Sequence, residues 1–277
     1  MKTCFNQATT LNNSTLLKDL ELCEKHGYDY IEIRLDKLRE YLQMYTVKEL
    51  MDFFEKSHLK PYAFNALEFI IFRDEVGYAQ ILADLRFLCE TGAKINCHKI
   101  VVVPTFDVGD KTLTEIATES VNRLRELGAI AAGYNVDLAF EFVGYPNCSV
   151  NCFEEAYKIV EQVGLNNVGI VLDCFHFHAM KSKIAALKTA DPKKIFVFHL
   201  DDCEDLPHGW LRDNHRVWPG AGAVDLEAIF GALKEIGYSE MASIELFRPE
   251  YWELDAEQTI ALGKRYTDDM ITRYMTK

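Results

Sequence analysis

The sequence predicts an α/β protein: a (β/α)8 TIM barrel, one domain spanning residues 1–277. Three observations lead there. Short apolar runs, β-branched or aromatic in character, alternate with helix-like segments from end to end. Gly27, Gly128, Gly164 and Gly237 sit where helices should stop, the usual place for a left-handed cap. Four successive runs end on an acidic or imidazole side chain, as they would if the carboxyl ends of parallel strands opened onto one functional face. A barrel of this kind takes about 250 residues, so a single domain accounts for the chain. A doubly wound open sheet is the alternative that the same alternation permits. No Pro/Ser-rich linker or low-complexity run marks a second domain.

In chain order, strands are expected near 3–6, 28–34, 61–66, 98–103, 136–141, 168–173, 195–199 and 242–246. Helices are expected near 15–26, 46–57, 76–91, 112–132, 152–163, 180–189, 225–236 and 256–273. The phrases KHGYDYIEI and EIGYSEMASIEL show the repeating unit twice: helix, glycine, turn, strand. The longest irregular piece, 200–224, carries Pro207, Gly209, Pro219, Gly220 and Gly222. A long loop after a barrel strand points to function.

Composition narrows the function classes. A hydrophobic content of 49% is ample for a large core, and no apolar stretch approaches the ~20 residues of a membrane span. The start MKTCFNQATT lacks the apolar region of a signal peptide, and the eight cysteines form no zinc pattern, so a reduced, cytoplasmic setting is expected. With a net charge of -13 and no dense basic block, neither nucleic acid nor membrane is an expected partner. A small neutral or metal-chelating substrate is.

The chemistry gathers at four positions: Glu141 in DLAFEFVG, Asp173 in GIVLDCFHFH, His199 in IFVFHLDD and Glu245 in ASIELFRPE. Singly, each could be a solvated charge. Together they put three carboxylates and an imidazole at one point, where the carboxylates repel unless a cation joins them. They are therefore the expected ligands of one divalent metal ion, and the chain is expected to be an enzyme. Carboxylate and imidazole suit manganese, cobalt, zinc, magnesium or ferrous iron, while the lack of thiolate argues against structural zinc.

Other residues are candidates around that centre. His176 is read as a substrate or supporting group, with a packed imidazole as the alternative, and His178 as the start of the next helix. Asp201 or Asp202 is a candidate to receive the His199 N–H, with loop capping as the alternative. Arg216, in the long loop, is a candidate donor to a substrate oxygen, against a surface ion pair. Arg248 and Glu250 brace the mouth, and Asn65 and Glu68 line the pocket as candidate substrate contacts. No GxGxxG, Walker loop or GxSxG is present, which leaves nucleotide-driven and serine-hydrolase chemistry without a foothold.

Long phrases of the chain, CFNQATTLNNSTLLKDLELCEKHGYDYIEIR, AFEFVGYPNC, GIVLDCFHFHAM, FVFHLDDCEDLP, RVWPGAGAVDL and SIELFRPEYW, resemble the xylose isomerase-like TIM barrels. That superfamily holds sugar isomerases and epimerases, inositol-catabolic enzymes and endonuclease IV. The similarity runs nearly end to end with the branch that isomerises keto-inositols. It implies one divalent metal on Glu141, Asp173, His199 and Glu245, with His176 and Arg216 on substrate oxygens. Asp213 and His215 resemble a metal pair of endonuclease IV, which leaves a second metal position open.

The implied reaction interconverts 2-keto-myo-inositol and 1-keto-D-chiro-inositol by proton transfer through an enediolate. Glu141 and Glu245 would exchange the proton, in an order left open, and the cation would stabilise the charge. His176 and Arg216 would hydrogen-bond the developing oxyanion. Hydrogen moves within one molecule, so no nicotinamide is expected. The partner is a small cyclitol or ketose, and a homo-oligomer stays open. The competing readings are a ketose 3-epimerase, an inosose dehydratase, an endonuclease IV-like phosphodiesterase and a non-catalytic sugar-binding barrel.

Overall fold

Eight short strands pair edge to edge in a computed structural model that describes residues 1–276. They are β1 (Lys2–Asn6), β2 (Tyr30–Arg34), β3 (Lys60–Leu67), β4 (Lys99–Val102), β5 (Asp137–Glu141), β6 (Val168–Asp173), β7 (Ile195–Leu200) and β8 (Met241–Ile244). Each is parallel to its neighbours, and β8 returns to β1, so the sheet closes and has no edge. Helices cross back outside between the strands, as parallel pairing requires. No described helix is long and apolar enough to cross a membrane.

Alternation along the strands builds two cores. Residues facing outward, such as Ile31, Ile33, Leu138, Phe140, Ile170 and Leu172, pack under the helices in one large cluster. Those facing inward form a small plug of Cys4, Ala63, Val101, Ala139, Val171, Val197 and Met241, all fully buried. The next inward position, two residues on, is polar on most strands: Asn6, Asn65, Glu141, Asp173, His199 and Ser243. An apolar floor thus carries a polar layer at the carboxyl end of the barrel.

The helical segments hold with local exceptions. Gly164 and Gly237 end their helices in the left-handed conformation, and Gly27 follows its helix with φ of 74°. Gly128 does not end a helix; it lies inside Leu113–Ala132. A Cβ there would stand 2.9 Å from a Val168 methyl, so its smallness serves close packing of helix on strand. The helix expected over 180–189 shrinks to one turn, Ile184–Leu187. The helical stretch instead starts at once after β6, as Cys174–Ala179, because the Asp173 side chain caps it by accepting from His176 N at 2.6 Å. His178 is therefore in the last turn of that short helix and does not begin the next one. An additional helix, Leu35–Tyr41, follows β2.

The long loop after β7 is more ordered than its composition suggests. Asp202–Cys203 and Arg216–Val217 pair as an antiparallel ribbon. Asp202 then organises the Pro-Gly segment with its carboxylate, accepting from the backbone N–H groups of Cys203 at 2.9 Å, Gly220 at 3.0 Å, Gly222 at 2.9 Å and Val224 at 2.8 Å. A side chain at Gly222 would collide with the Cys203 carbonyl and with Asp202, so this wrap requires glycine.

Candidate metal centre

The barrel register brings the four strand-end residues together. Asp173 on β6 pairs with His199 on β7, and His199 pairs with Ser243 on β8, two residues before Glu245. Glu141 on β5 is level with Val171, one inward step below Asp173, as the stagger of tilted strands demands. Ligand atoms of Glu141, Asp173, His199 and Glu245 lie within 4.8 Å of one another, and all four residues are buried.

His199 is the hub. Its Nδ1 lies 2.9 Å from Glu141 Oε1, 3.1 Å from Glu245 Oε2 and 3.7 Å from Asp173 Oδ2. Its Nε2 lies 3.1 and 3.2 Å from the two oxygens of Glu32, a fully buried residue of β2. Neither Asp201 nor Asp202 takes that N–H: Asp201 accepts from Phe175 N and pairs with Arg216, and Asp202 wraps the loop. The expected acidic partner of His199 comes from β2 instead.

Arg216 is not a surface residue. It is 1% exposed, with Nη1 2.7 Å from Asp173 Oδ2 and also paired to Asp201, and with Nε 3.1 Å from Asp213 Oδ1. Its Nη2 is 3.1 Å from Nε2 of the buried His176, which must accept because a guanidinium only donates. His176 Nδ1 has no partner among the described residues. Arg248 braces the rim through Glu204 at 2.7 Å and Glu250 at 3.2 Å.

Asn65 and Glu68 part ways. The Asn65 amide donates to Glu245 Oε1 at 3.3 Å, beside a shorter 2.7 Å bond to the same oxygen from Asn6 on β1. Asn65 thus holds Glu245 with one of its N–H groups. Glu68 is exposed and lines a cavity of about 310 Å³ with Asn65, Arg34 and Arg73. Asp213 and His215 are spent locally, Asp213 on Arg216 and His215 Nδ1 on the backbone N–H of Arg212 at 3.0 Å. They belong to no metal-binding group among the described residues.

The electrostatics follow from burial and crowding. Burial pushes the Glu141 carboxyl up to about 8, partly opposed by His199. Burial would lift Asp173 too, but Arg216 and His176 carry it well below the usual carboxylate range. Burial alone would lower His199; Glu245, Glu32 and Glu141 together raise it well above its ordinary value. Burial, reinforced by Asp173, drives Asp201 well up, and burial lowers His176. Five buried carboxyls, those of Glu32, Glu141, Asp173, Asp201 and Glu245, thus share one guanidinium and one ligand imidazole. Such an excess is costly in a dry interior unless a cation balances it. Three carboxylate oxygens and an imidazole nitrogen converging this closely fit a divalent ion and leave part of its coordination shell for a substrate.

A closed parallel barrel with three carboxylates and an imidazole converging at its carboxyl end defines a metal-dependent barrel enzyme. The chain belongs to the Xylose isomerase-like TIM barrel family, which it matches over residues 20–267. It is 52% identical to inosose isomerase of Bacillus subtilis over 277 residues, covering all of both chains. It is likewise 52% identical to inosose isomerase of Bacillus velezensis, covering all of this chain and 99% of that one. A crystal structure of the IOLI protein with a binding zinc atom superposes with a TM-score of 0.98 at 52% identity, with both chains covered in full.

Sequence reading missed two members of this site, Glu32 and Asn6. Both had a signal. Glu32 is a lone charge between Ile31 and Ile33 in a strand, and Asn6 ends β1 on the inward side.

Proposed function

We infer that this protein is a metal-dependent inosose isomerase that interconverts 2-keto-myo-inositol and 1-keto-D-chiro-inositol. The observation that carries the reading is full-length identity of 52% to inosose isomerases combined with the buried four-residue centre. A divalent cation held by Glu141, Asp173, His199 and Glu245 supplies Lewis-acid stabilisation of negative charge on substrate oxygens. Zinc is the first ion to load, since the structure of the IOLI protein holds one. Manganese, cobalt and magnesium suit the same donors.

The chain's own residues supply the proton chemistry. Glu141 and Glu245 reach the centre from β5 and from the end of β8, so they meet a bound substrate from different sides. One takes the proton from the hydroxyl-bearing carbon beside the carbonyl, and the pair returns it to the former carbonyl carbon. The hydroxyl proton passes to the former carbonyl oxygen, so ketone and alcohol change places. The Asn6 and Asn65 amides fix Glu245 through Oε1 and turn Oε2 toward His199 and the centre. Arg216 holds Asp173, Asp201 and His176 in one array, placing cationic and N–H donors where an oxyanion develops. Glu68 would meet the substrate only at the mouth, since the cavity it lines with Asn65 includes none of the four ligand residues.

Proton NMR of 2-keto-myo-inositol with zinc-loaded protein in D₂O tests the reading against a chelator-treated control. Metal-dependent 1-keto-D-chiro-inositol, with deuterium entering the carbon beside the carbonyl, is the expected result. If a protein shown to hold metal gave neither product nor exchange, ketohexose epimerisation would replace it.

A further inference from the structure

Glu32 lies mid-strand on β2, facing into the barrel, and is 0% exposed. A carboxylate at that depth costs several kcal/mol unless it is partnered. Among the described residues it has no Lys or Arg ion-pair partner, and its hydrogen bonds go to two side chains only. His199 Nε2 stands 3.1 and 3.2 Å from its oxygens, and Ser243 Oγ donates to Oε1 at 2.5 Å. The barrel register explains the meeting: β2 runs beside β1, β1 beside β8, and β8 beside β7, so inward residues at one level face each other across the axis.

The two nitrogens of His199 therefore see different worlds. Nε2 faces Glu32 beneath the centre, while Nδ1 faces Glu141, Glu245 and Asp173. Both Glu32 oxygens lie within hydrogen-bond reach of Nε2 and one already accepts from Ser243, an arrangement in which Nε2 is the donor and carries the hydrogen. An imidazole protonated at Nε2 offers a lone pair at Nδ1 alone. Ser243 in turn pins Glu32, so neither the ring nor its partner is free to turn. We propose that Glu32 is the positioning residue of the metal centre: it holds His199 in the one tautomer and ring orientation that aims Nδ1 at the cation. This rests on the reading of Glu141, Asp173, His199 and Glu245 as the ligand set. Such outer partners orient metal-binding histidines generally, and losing one weakens metal binding by about 10- to 100-fold.

The test uses the full-length protein with zinc as the probe. Zinc affinity is measured by competition with a chromophoric chelator for wild type, Glu32→Gln and Glu32→Leu. The tautomer of His199 is read from ¹⁵N-histidine NMR of the zinc-loaded protein. In wild type the hydrogen is expected on Nε2 and the metal on Nδ1. Glu32→Leu, which removes the acceptor, should bind zinc about 10- to 100-fold more weakly, while Glu32→Gln, which keeps an acceptor oxygen, recovers part of the loss. A purely structural Glu32 would change thermal stability in both variants and leave zinc affinity and the Nε2 proton signal alone. Folded Glu32→Leu with wild-type zinc affinity would overturn the proposal. So would a wild-type spectrum with Nε2 unprotonated, which decides the matter even if Glu32→Leu does not fold. Wild-type protein that takes up no zinc would instead sink the ligand set itself, a result distinct from loss of the Glu32 role alone.

Discussion

Replacing Asn6 separates the orientation of Glu245 from its mere presence. The Asn6 amide donates to Glu245 Oε1 at 2.7 Å, while its own carbonyl oxygen accepts from Ala8 N at 2.9 Å and caps the turn after β1. A hydrogen bond to a charged group contributes about 1.5–3 kcal/mol, and about 1.4 kcal/mol is tenfold in rate. Asn6→Ala should therefore lower kcat by about 10- to 100-fold if Glu245 must be held to move the proton. Asn65, at 3.3 Å on the same oxygen, contributes less, and the two effects will not add. Asn6→Ala also loses the cap, about 1 kcal/mol of stability. For 277 residues the unfolding entropy is roughly 0.6 kcal/mol/K, so that loss lowers Tm by only about 2 °C. The more incisive variant is Asn6→Asp. It keeps an oxygen for Ala8 but turns the donor into a carboxylate against Glu245, so kcat should fall by about 100-fold or more. Initial rates on 2-keto-myo-inositol with saturating zinc give kcat and KM, and solvent deuterium entry reports the proton step directly. The loss should appear in kcat, not KM. Asn6→Asp with kcat within about threefold of wild type would refute the reasoning.

Three further outcomes follow from the geometry. In metal-free protein the Glu141 carboxyl titrates at about 8 and His199 keeps its proton above the usual range. Since a cation on these ligands needs both groups deprotonated, binding releases protons, and zinc affinity should climb with pH up to about 8; isothermal titration showing a flat profile across that range would contradict it. Asp202→Ala strips the acceptor from four backbone N–H groups of the Pro-Gly segment, an expected loss of about 3–5 kcal/mol, or roughly 5–8 °C in Tm by calorimetry, with Asp202→Asn intermediate. Gly128→Val should cost about 1–3 kcal/mol by overpacking against Val168 and Leu165, seen as a lower Tm with unchanged room-temperature activity; a neutral effect would mean the helix can shift freely on β6.

The elements most legible in the sequence are those whose cause is local. Runs such as VGIVLD and IFVFHL declare buried strands because both faces are covered, and Gly164 and Gly237 declare helix ends because they adopt the left-handed conformation. Gly128 misleads for the same reason: in sequence a capping glycine and a packing glycine look alike, and only the nearness of Val168 tells them apart. The helix expected over 180–189 fails because Asp173 serves at once as a strand end, a site residue and the cap of the helix that follows it immediately.

By itself the sequence determined the period of two that turns Glu141, Asp173, His199 and Glu245 inward at strand ends, and so the chemistry of the centre. The tertiary structure alone decided what stands around them. Glu32 meets His199 from 167 positions away, Asn6 meets Glu245 from 239, and Arg216 leaves its loop to lie buried between Asp173 and Asp201. These meetings depend on how far the strands tilt and stagger when the barrel closes. Closure is a property of all eight strands together, so no single stretch of sequence could display it.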